Sequence, residues 1–383
     1  MFLRKTVFVK FIAGIFFVAF WCEFLIYYLV LFQCSYPTLD PSNVDQSIFR
    51  NDSVSELKTM ILADTHLLGP YRGHWFDKLR REWQMYRSFQ TALTLHSPDV
   101  VFILGDVFDE GLWTNEEEFN AYLKRFSSLF KVQKPTEIFV VPGNHDVGFH
   151  YSMSVHLEKR FSMAFKLKPV KLLSRKNVHF VLVNSMAMEG DGCYLCQKAE
   201  QYLEVAAAKL RCATGIGRCE GVKPVSSFSK PIILQHFPMY RESDEDCHEF
   251  DSAPAAIKGV KFRQNWECLS RESSELLMEV LKPRVIMTGH THHGCYRFYP
   301  REKVHEYTVP SFSWRNKINP TFMLAVFTPN NFAVERCALP QESTVIAFYI
   351  IGLFVIIMIY LTKRRSLGFF RSRNSILKPI KFG

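Results

Sequence analysis

Short apolar runs that end in Asp, His or Asn recur along this chain, and this pattern constrains its fold more than any other feature. A strand that ends in such residues usually presents a functional loop. The five runs, each with its polar end, are residues 59–63 with Asp64 and His66, 100–104 with Asp106, 137–141 with Asn144, 231–234 with His236, and 284–287 with His290 and His292. Since α/β sheets place their sites at the carboxyl ends of strands, we expect these side chains to meet.

The segments around these runs complete an α/β pattern. The predicted helices cover residues 75–96, 114–130, 198–211 and 270–281, and a further strand is expected over 179–184. Thr114 and Glu117 have the spacing of a capping box at the start of the second helix. After the last polar run, four short alternating segments at residues 296–299, 304–309, 322–327 and 332–337 indicate antiparallel strands.

Both ends of the chain carry a long apolar segment. Residues 11–32 and 345–361 are each long enough to cross a bilayer as a helix. A cleaved signal peptide is the alternative for the first segment, which lacks a small-residue cleavage site, and a buried core helix is the alternative for the second. Basic residues flank the outer ends, which predicts that residues 1–10 and 362–383 are cytosolic. Residues 33–58 would then form a linker and residues 59–340 a lumenal domain.

The formal net charge of +10 comes from the two tails. Three basic residues in the first ten and seven after residue 362, with no acid in either segment, match the whole excess. The remaining chain is close to neutral, so its basic character reports membrane topology and gives no support to nucleic-acid binding. We expect no nucleic-acid partner.

Cysteines are frequent in the predicted lumenal domain. Eight of the ten in the chain fall there: Cys193, Cys196, Cys212, Cys219, Cys247, Cys268, Cys295 and Cys337. An even number in that compartment favours disulfides, although the C-x-x-C pair of Cys193 and Cys196 also suits a redox or zinc half-site. Asn51 begins an Asn-Asp-Ser sequon and is a candidate glycosylation site.

The polar residues at the strand ends form a mixed set of metal ligands. The set contains two carboxylates, one amide and four imidazoles, which is too many for one ion. Its mixed hardness suits Mn, Fe or Zn better than Ca or Mg. Two ions about 3.5–4 Å apart and bridged by one carboxylate would polarise a phosphoryl oxygen and generate a hydroxide nucleophile. The set therefore predicts phosphoester hydrolysis, although any one member, such as His236, could be an ordinary turn residue.

These motifs resemble, in order and completely, those of the calcineurin-like metallophosphoesterase family. They are Asp64-Thr65-His66, Gly105-Asp106-Val107-Phe108-Asp109-Glu110-Gly111, Gly143-Asn144-His145-Asp146, His236 and Gly289-His290-Thr291-His292. The resemblance implies a β-sandwich flanked by helices in an α-β-β-α arrangement, with one transmembrane helix added at each end here. It also implies that two divalent ions are bound, and it favours Mn over Zn or Fe.

The resemblance also implies a role for each residue. One ion would be held by Asp64, His66 and His292 and the other by Asn144, His236 and His290, with Asp106 bridging the two. His145 would stabilise the transition state or protonate the leaving oxygen, and Asp109 would orient it. Asp146 would be structural.

A narrower resemblance links the chain to membrane-bound family members that remodel the GPI glycan. Residues 67–69, 73–75, 78–84 and 310–316 carry it, together with the two apolar ends. It implies a Mn-dependent enzyme of the endoplasmic reticulum, its exit sites and the early Golgi, with a lumenal catalytic domain. Its substrates would be GPI-anchored proteins, from which it would remove ethanolamine phosphate on the second mannose, aiding their transport from endoplasmic reticulum to Golgi.

Some features leave alternatives open. Contacts with cargo receptors or coat proteins through the tails are expected, but only Lys378 and Lys381 approach a dilysine retrieval signal. A lumenal nucleotide or phospholipid phosphoesterase and a non-catalytic cargo-sorting module are the competing functions. Arg315, Trp314 and Tyr240 are polar or aromatic residues near strand ends that could contact substrate or simply pack.

Overall fold

The computed structural model describes residues 2–45, 55–215 and 219–376, and the side chains of residues 5–45, 55–215 and 219–365. Asn51, Lys378 and Lys381 lie outside the described residues, so their predicted roles stay predictions. The chain divides into two compact units, residues 31–339 and the joined ends 1–30 and 340–383.

The structure contains the predicted helices and strands and four further elements that were not predicted, at residues 144–147, 155–165, 170–175 and 255–258. The helices are α1 (Phe2–Phe20), α2 (Ile26–Leu31), α3 (Trp75–His96), α4 (Glu116–Leu129), α5 (Asn144–Val147), α6 (Val155–Phe165), α7 (Tyr194–Cys212), α8 (Ala255–Lys258), α9 (Arg271–Leu281) and α10 (Glu342–Ile376). The strands are β1 (Leu57–Leu62), β2 (Val100–Leu104), β3 (Glu137–Val141), β4 (Val170–Arg175), β5 (Val178–Val183), β6 (Ile232–Leu234), β7 (Val285–Thr288), β8 (Cys295–Tyr299), β9 (Val304–Thr308), β10 (Thr321–Phe327) and β11 (Phe332–Ala338).

Two mixed sheets form the unit of residues 31–339. The first has the order β11-β10-β1-β2-β3 and the second the order β4-β5-β6-β7-β9-β8. Strands β1, β2 and β3 run parallel, as do β5, β6, β7 and β9, whereas β4, β8, β10 and β11 pair antiparallel with their neighbours. Of the late strands, β9 differs from the prediction because it also pairs parallel with β7.

The apolar faces of both sheets share one core. Ile61 and Phe102 from the first sheet cluster with Phe180 and Leu234 from the second, all fully or nearly fully buried. A second cluster covers the other face of the second sheet, where Leu203 of α7 and its neighbours pack. Burial on both faces explains why the parallel strands read as continuous apolar runs. The predicted fold class, an α/β arrangement of sheets flanked by helices, is confirmed.

The predicted start of α4 was wrong by one residue. Asn115 caps the helix by accepting a hydrogen bond from the Glu118 backbone N–H at 2.9 Å, and the Glu118 carboxylate accepts one from the Asn115 backbone at 3.0 Å. The Thr114 hydroxyl instead donates to the Gly111 carbonyl at 3.0 Å. Two adjacent capping boxes are thus available in the sequence, and the preceding turn selects the second.

The disulfides do not use all of the eight cysteines predicted to be lumenal and bonded. The bonded pairs are Cys34–Cys337, Cys193–Cys196, Cys212–Cys219 and Cys247–Cys295. Cys268 is buried and unpaired, and Cys34 from the predicted linker takes the remaining place. Because Cys34 and Cys337 are 303 residues apart, their bond closes a long loop and ties the start of the unit to β11.

The other unit consists of the apolar ends. A π-helical turn at Trp21–Leu25 joins α1 and α2, and the resulting helix contacts α10. Gly14 faces Ile356 so closely that a Cβ there would lie 3.2 Å from its side chain. The Tyr349 hydroxyl donates to Glu23 Oε1 at 2.5 Å, which gives the one acid of the first segment a partner. Two segments, Lys5–Leu31 and Glu342–Arg365, are long and apolar enough to cross a membrane.

Candidate metal centre

All the predicted ligand residues lie at the carboxyl ends of parallel strands. Asp64 and His66 follow β1, Asp106 follows β2, and Asn144 opens α5 after β3. On the second sheet, His236 follows β6, and His290 and His292 follow β7. Both sheets end at the same edge, so residues as far apart in the chain as Asp64 and His292 come together there.

The loops that carry these residues have unusual backbone conformations. Five of the ligand candidates have positive φ angles: Asp64 (53°), His66 (43°), Asp106 (46°), His290 (75°) and His292 (63°). Each such non-glycine conformation costs on the order of 1–3 kcal/mol and persists only where the surroundings enforce it. Clustering of this kind at one sheet edge is typical of a functional site.

Two glycines allow the loops to approach each other. Gly105 has φ +82°, and a Cβ there would lie 2.5 Å from His236 Nδ1. A Cβ on Gly143 would collide with the Asp106 carboxylate. The glycine before Asp106 and the one before Asn144 are therefore needed for close packing of the loops from both sheets.

The first half-site consists of Asp64, His66 and His292 around one oxygen of Asp106. His66 Nε2 and His292 Nε2 lie 3.2 Å apart, and His292 Nε2 lies 3.6 Å from Asp64 Oδ1. Asp106 Oδ2 lies 3.4 Å from His66 Nε2. These donor atoms converge on one point and could hold one ion.

The second half-site consists of Asn144, His236 and His290 around the same oxygen of Asp106. His236 Nε2 lies 3.3 Å from Asp106 Oδ2, 3.1 Å from Asn144 Oδ1 and 3.2 Å from His290 Nδ1. These atoms could hold a second ion. Because Asp106 Oδ2 faces both half-sites, the geometry suits the bridging role that the sequence predicts for this carboxylate.

The outer ring nitrogens of three histidines are held by hydrogen bonds. His66 Nδ1 contacts Asp109 Oδ1 at 3.0 Å, His236 Nδ1 donates to the Leu104 carbonyl at 2.7 Å, and His290 Nε2 donates to the Trp266 carbonyl at 2.5 Å. Such bonds set the tautomer and leave the inner nitrogen free as a ligand. The Leu104 and Trp266 contacts use backbone atoms, so no sequence signal could have revealed them.

The electrostatics of the cluster fit divalent cations. Asp64 Oδ1 is buried and receives no hydrogen bond from the described residues. Burial raises the pKa of the Asp106 carboxyl, but the charges of His236 and His145 outweigh this and hold its pKa well below the ordinary value. Burial, together with the charge of His236, lowers the pKa of His290 to about 3, so this imidazole is neutral. Burial lowers the pKa of His236, but the charge of Asp106 outweighs this and raises the pKa to about 9, so a bound cation would displace the proton of this imidazole. Carboxylates and deprotonated imidazoles are the donors that Mn, Fe or Zn prefer.

His145 is bound by the main chain of Asp109. Its Nδ1–H donates to the backbone carbonyl of Asp109 at 2.8 Å, and its ring lies 4.7 Å from that of His66. The Asp109 carboxylate contacts His66, and its other oxygen lies 3.6 Å from Arg315 Nη2. Asp109 therefore contacts two histidines, His145 through its carbonyl and His66 through its side chain, and its predicted role in orienting His145 stays a prediction.

Asp146 binds backbone groups rather than facing the cluster. Its carboxylate accepts hydrogen bonds from the backbone N–H groups of Gly143 at 2.9 Å, Phe108 at 2.9 Å and Val107 at 3.2 Å. These bonds tie the loop after β2 to the loop after β3, which is consistent with the structural role predicted for Asp146.

Of the three residues left open as substrate contacts, one lies at the site. Arg315 contacts Asp109, and the neighbouring Asn316, which sequence reasoning missed, lies 3.4 Å from His292 Nε2 through its side-chain amide.

The other two residues have different surroundings. Trp314 is buried and its backbone N–H donates to Gln84. Tyr240 lies under the Arg271 guanidinium. Packing therefore explains Trp314, and a surface cation–π contact explains Tyr240.

Known proteins are similar to most of this chain in sequence. Residues 57–294 match the family described as calcineurin-like phosphoesterase. Metallophosphoesterase 1 of Ailuropoda melanoleuca is 45% identical over 361 residues, covering 93% of this chain and 90% of that protein. Metallophosphoesterase 1 of Gallus gallus is 47% identical over 334 residues, covering 86% and 83%. A solved structure of a dimetal phosphatase from Danio rerio is similar over 74% of this chain and 99% of its own, with 12% identity and a TM-score of 0.43.

The family match spans both sheets from β1 to β7 and includes every ligand candidate. The predicted family and the predicted enzyme class, a metal-dependent phosphoesterase, are therefore confirmed. This chain belongs to the calcineurin-like phosphoesterase family.

Proposed function

We propose that this phosphoesterase is a dinuclear phosphodiesterase that removes ethanolamine phosphate from the second mannose of the GPI glycan on GPI-anchored proteins. The observation that carries the proposal is the convergence of both half-sites on Asp106, in a chain whose motifs and apolar ends resemble GPI-remodelling members of the family. The substrate itself rests on that resemblance.

The described residues suit hydrolysis of a phosphodiester. Two ions held by the half-sites would polarise the phosphoryl group and supply hydroxide at neutral pH. Burial lowers the pKa of His145, but the negative charge of Asp106 and the carbonyl and carboxylate of Asp109 outweigh this and raise it. Because Nδ1 of His145 is bound to the Asp109 carbonyl, Nε2 is the atom left to donate a proton to the leaving oxygen.

A membrane-bound, lumenal setting is part of the proposal. Two candidate spans and four disulfides support a membrane protein whose enzymatic domain lies in an oxidising compartment. We propose that this compartment is the lumen of the endoplasmic reticulum and early Golgi, and that the ions are Mn. Cargo receptors or coat proteins would contact the cytosolic tails.

The test uses cells that cannot remove ethanolamine phosphate from the second mannose and asks whether this chain restores that removal. Wild-type chain and the Asp106→Ala variant are expressed, GPI glycans are released, and the ethanolamine phosphate on the second mannose is measured by mass spectrometry. We expect its loss with wild-type protein only. If the second mannose keeps its ethanolamine phosphate although wild-type protein is well expressed, the proposal is refuted.

Two further outcomes point to the competing functions. Purified Mn-loaded enzyme that hydrolyses nucleotides or phospholipids faster than a GPI-derived glycan would support a different lumenal phosphoesterase. If Asp106→Ala restored normal transport of GPI-anchored proteins, the chain would act as a non-catalytic cargo-sorting module.

A further inference from the structure

An exposed aromatic surface adjoins the second half-site. Phe149 and Tyr151 stack with an interplanar angle of 5° and centroids 5.9 Å apart, and Trp266 stacks on Tyr151 at 5.5 Å. The rings of Phe149 and Trp266 are 5.0 Å apart. We call these three residues the aromatic platform.

Two of the three platform residues are exposed. Tyr151 is 67% exposed and Trp266 is 38% exposed, while Phe149 is partly buried and packs against the core cluster of the second sheet. Exposed large aromatic side chains that cluster beside a functional site often mark a binding surface. Tyr and Trp combine a large apolar face with a polar group and lose little conformational entropy when they bind.

Three contacts fix the platform to the candidate metal centre. The Trp266 carbonyl accepts the hydrogen bond from His290 Nε2, so the residue that supplies the exposed indole also orients a ligand histidine. The Phe149 ring lies 6.5 Å from the His290 ring and 6.1 Å from that of Phe237, the residue after His236. The platform is therefore continuous with the second half-site.

The segments that carry the platform are themselves anchored. His150, between Phe149 and Tyr151, binds the Met186 carbonyl through Nδ1 and Asp191 through Nε2. On the other segment, the Leu269 backbone N–H donates to the Pro238 carbonyl at 2.9 Å. The rings are thus held in place before any ligand arrives, which reduces the entropic cost of binding.

A charged pair lies against the platform. The Arg263 guanidinium lies over the Trp266 ring, 4.5 Å from its centre, and forms an exposed ion pair of 3.0 Å with Glu267. An apolar surface with a charged donor and a charged acceptor beside it matches a pyranose, which has a C–H face and hydroxyls around its perimeter. A purely apolar lipid chain would not use these charged groups.

We infer that the aromatic platform binds the sugar ring whose hydroxyl carries the phosphodiester, an inference that rests on the proposed function. In such a substrate the ring is one ester bond from phosphorus, so it must lie directly beside the ions. Stacking on Tyr151, beside Trp266 and Arg263, positions the sugar while the half-sites hold the phosphoryl group. The platform thereby selects glycan phosphodiesters over diesters of simple alcohols.

The test compares two synthetic diesters with full-length, Mn-loaded enzyme in detergent. One is a methyl mannoside with 2-aminoethyl phosphate esterified to a ring hydroxyl group, and the other replaces the sugar by propanol. The variants are Tyr151→Ala and Trp266→Ala, with Tyr151→Phe and Trp266→Phe as conservative versions that keep an aromatic face. Phe298→Ala, which removes a ring 47% exposed on β8, is the matched control.

Wild-type enzyme is expected to prefer the mannosyl diester, and each alanine variant to raise its KM about tenfold, the effect of a loss of about 1.4 kcal/mol. Tyr151→Ala should leave kcat/KM for the propyl diester and the bound metal content unchanged. Trp266→Ala is judged by the ratio of kcat/KM for the two diesters, because the Trp266 carbonyl also orients His290. The phenylalanine variants should keep most of the preference, and Phe298→Ala should keep all of it.

The outcomes separate the inference from the proposed function. If wild-type enzyme prefers the mannosyl diester and the alanine variants keep that preference, the platform is not the sugar site, although the proposed function stands. Equal turnover of the two diesters by wild-type enzyme overturns the inference as well. If neither diester is cleaved while a nucleotide substrate is, both the inference and the proposed function are wrong.

Discussion

The two half-sites of the candidate metal centre differ in what orients their histidines. In the first, His66 is held by the Asp109 side chain, whereas in the second His236 and His290 are held by the backbone carbonyls of Leu104 and Trp266. A carboxylate can be removed by mutation and a carbonyl cannot. We therefore expect the two ions to respond differently to substitutions around their ligands, although they share Asp106.

The largest effect is expected where the half-sites meet. Asp106→Ala removes the oxygen that both half-sites face, so both ions should be lost and turnover should fall by at least about 10³-fold. Metal analysis after gel filtration and hydrolysis of a chromogenic phosphodiester measure this. Asp77→Ala, at a partly exposed position in the first turn of α3, is the control. Retention of one full ion by Asp106→Ala would mean that the two half-sites do not depend on a shared ligand.

Removing one ligand from each half-site should separate the two ions. His66→Ala is expected to lower the metal content from two ions to one, and His236→Ala to do the same at the other half-site, because each removes an inner nitrogen facing Asp106. Turnover should fall by about 10²–10³-fold in each case, since both ions take part. Binding of Mn followed by electron paramagnetic resonance would distinguish paired from isolated ions. A paired signal in either variant would contradict this separation.

His145→Ala should affect chemistry and leave both half-sites filled. Its ring is bound to the Asp109 carbonyl and only its backbone N–H contacts Asp106. We expect kcat to fall by about 10²-fold, the lower end of the usual range for a lost general acid, with two ions still bound. Loss of metal from this variant would show that His145 supports a half-site rather than the leaving oxygen.

The smallest effect is expected at Asp109, and it should distinguish the two half-sites most clearly. Asp109→Asn weakens the contact with His66 Nδ1 and should reduce metal affinity at the first half-site by about 10–100-fold. The second half-site should be unaffected, and so should the orientation of His145, which uses the Asp109 backbone. Titration of metal-free enzyme with Mn should change from one apparent affinity to two. Equal weakening of both sites would remove the distinction between them.

Most of the fold could be predicted from the sequence because buried parallel strands read as apolar runs with polar ends. The runs at residues 59–63 and 100–104 became β1 and β2, and α3 has the predicted bounds. The prediction failed where local signals compete. Thr114 and Asn115 both precede suitable glutamates, and Cys268 was exchanged for Cys34 because a disulfide depends on which chain segments meet across the fold.

The sequence by itself determined which residue types stand at the strand ends, in what order, and therefore the family and its chemistry. Only the tertiary structure decided which atom of each residue faces the centre. Asp109 is the clearest case, since its carboxylate contacts His66 and its backbone carbonyl accepts a hydrogen bond from His145. The reason is physical: the orientation of a histidine depends on the partner of its other nitrogen, and for His236 that partner is a carbonyl 132 residues away.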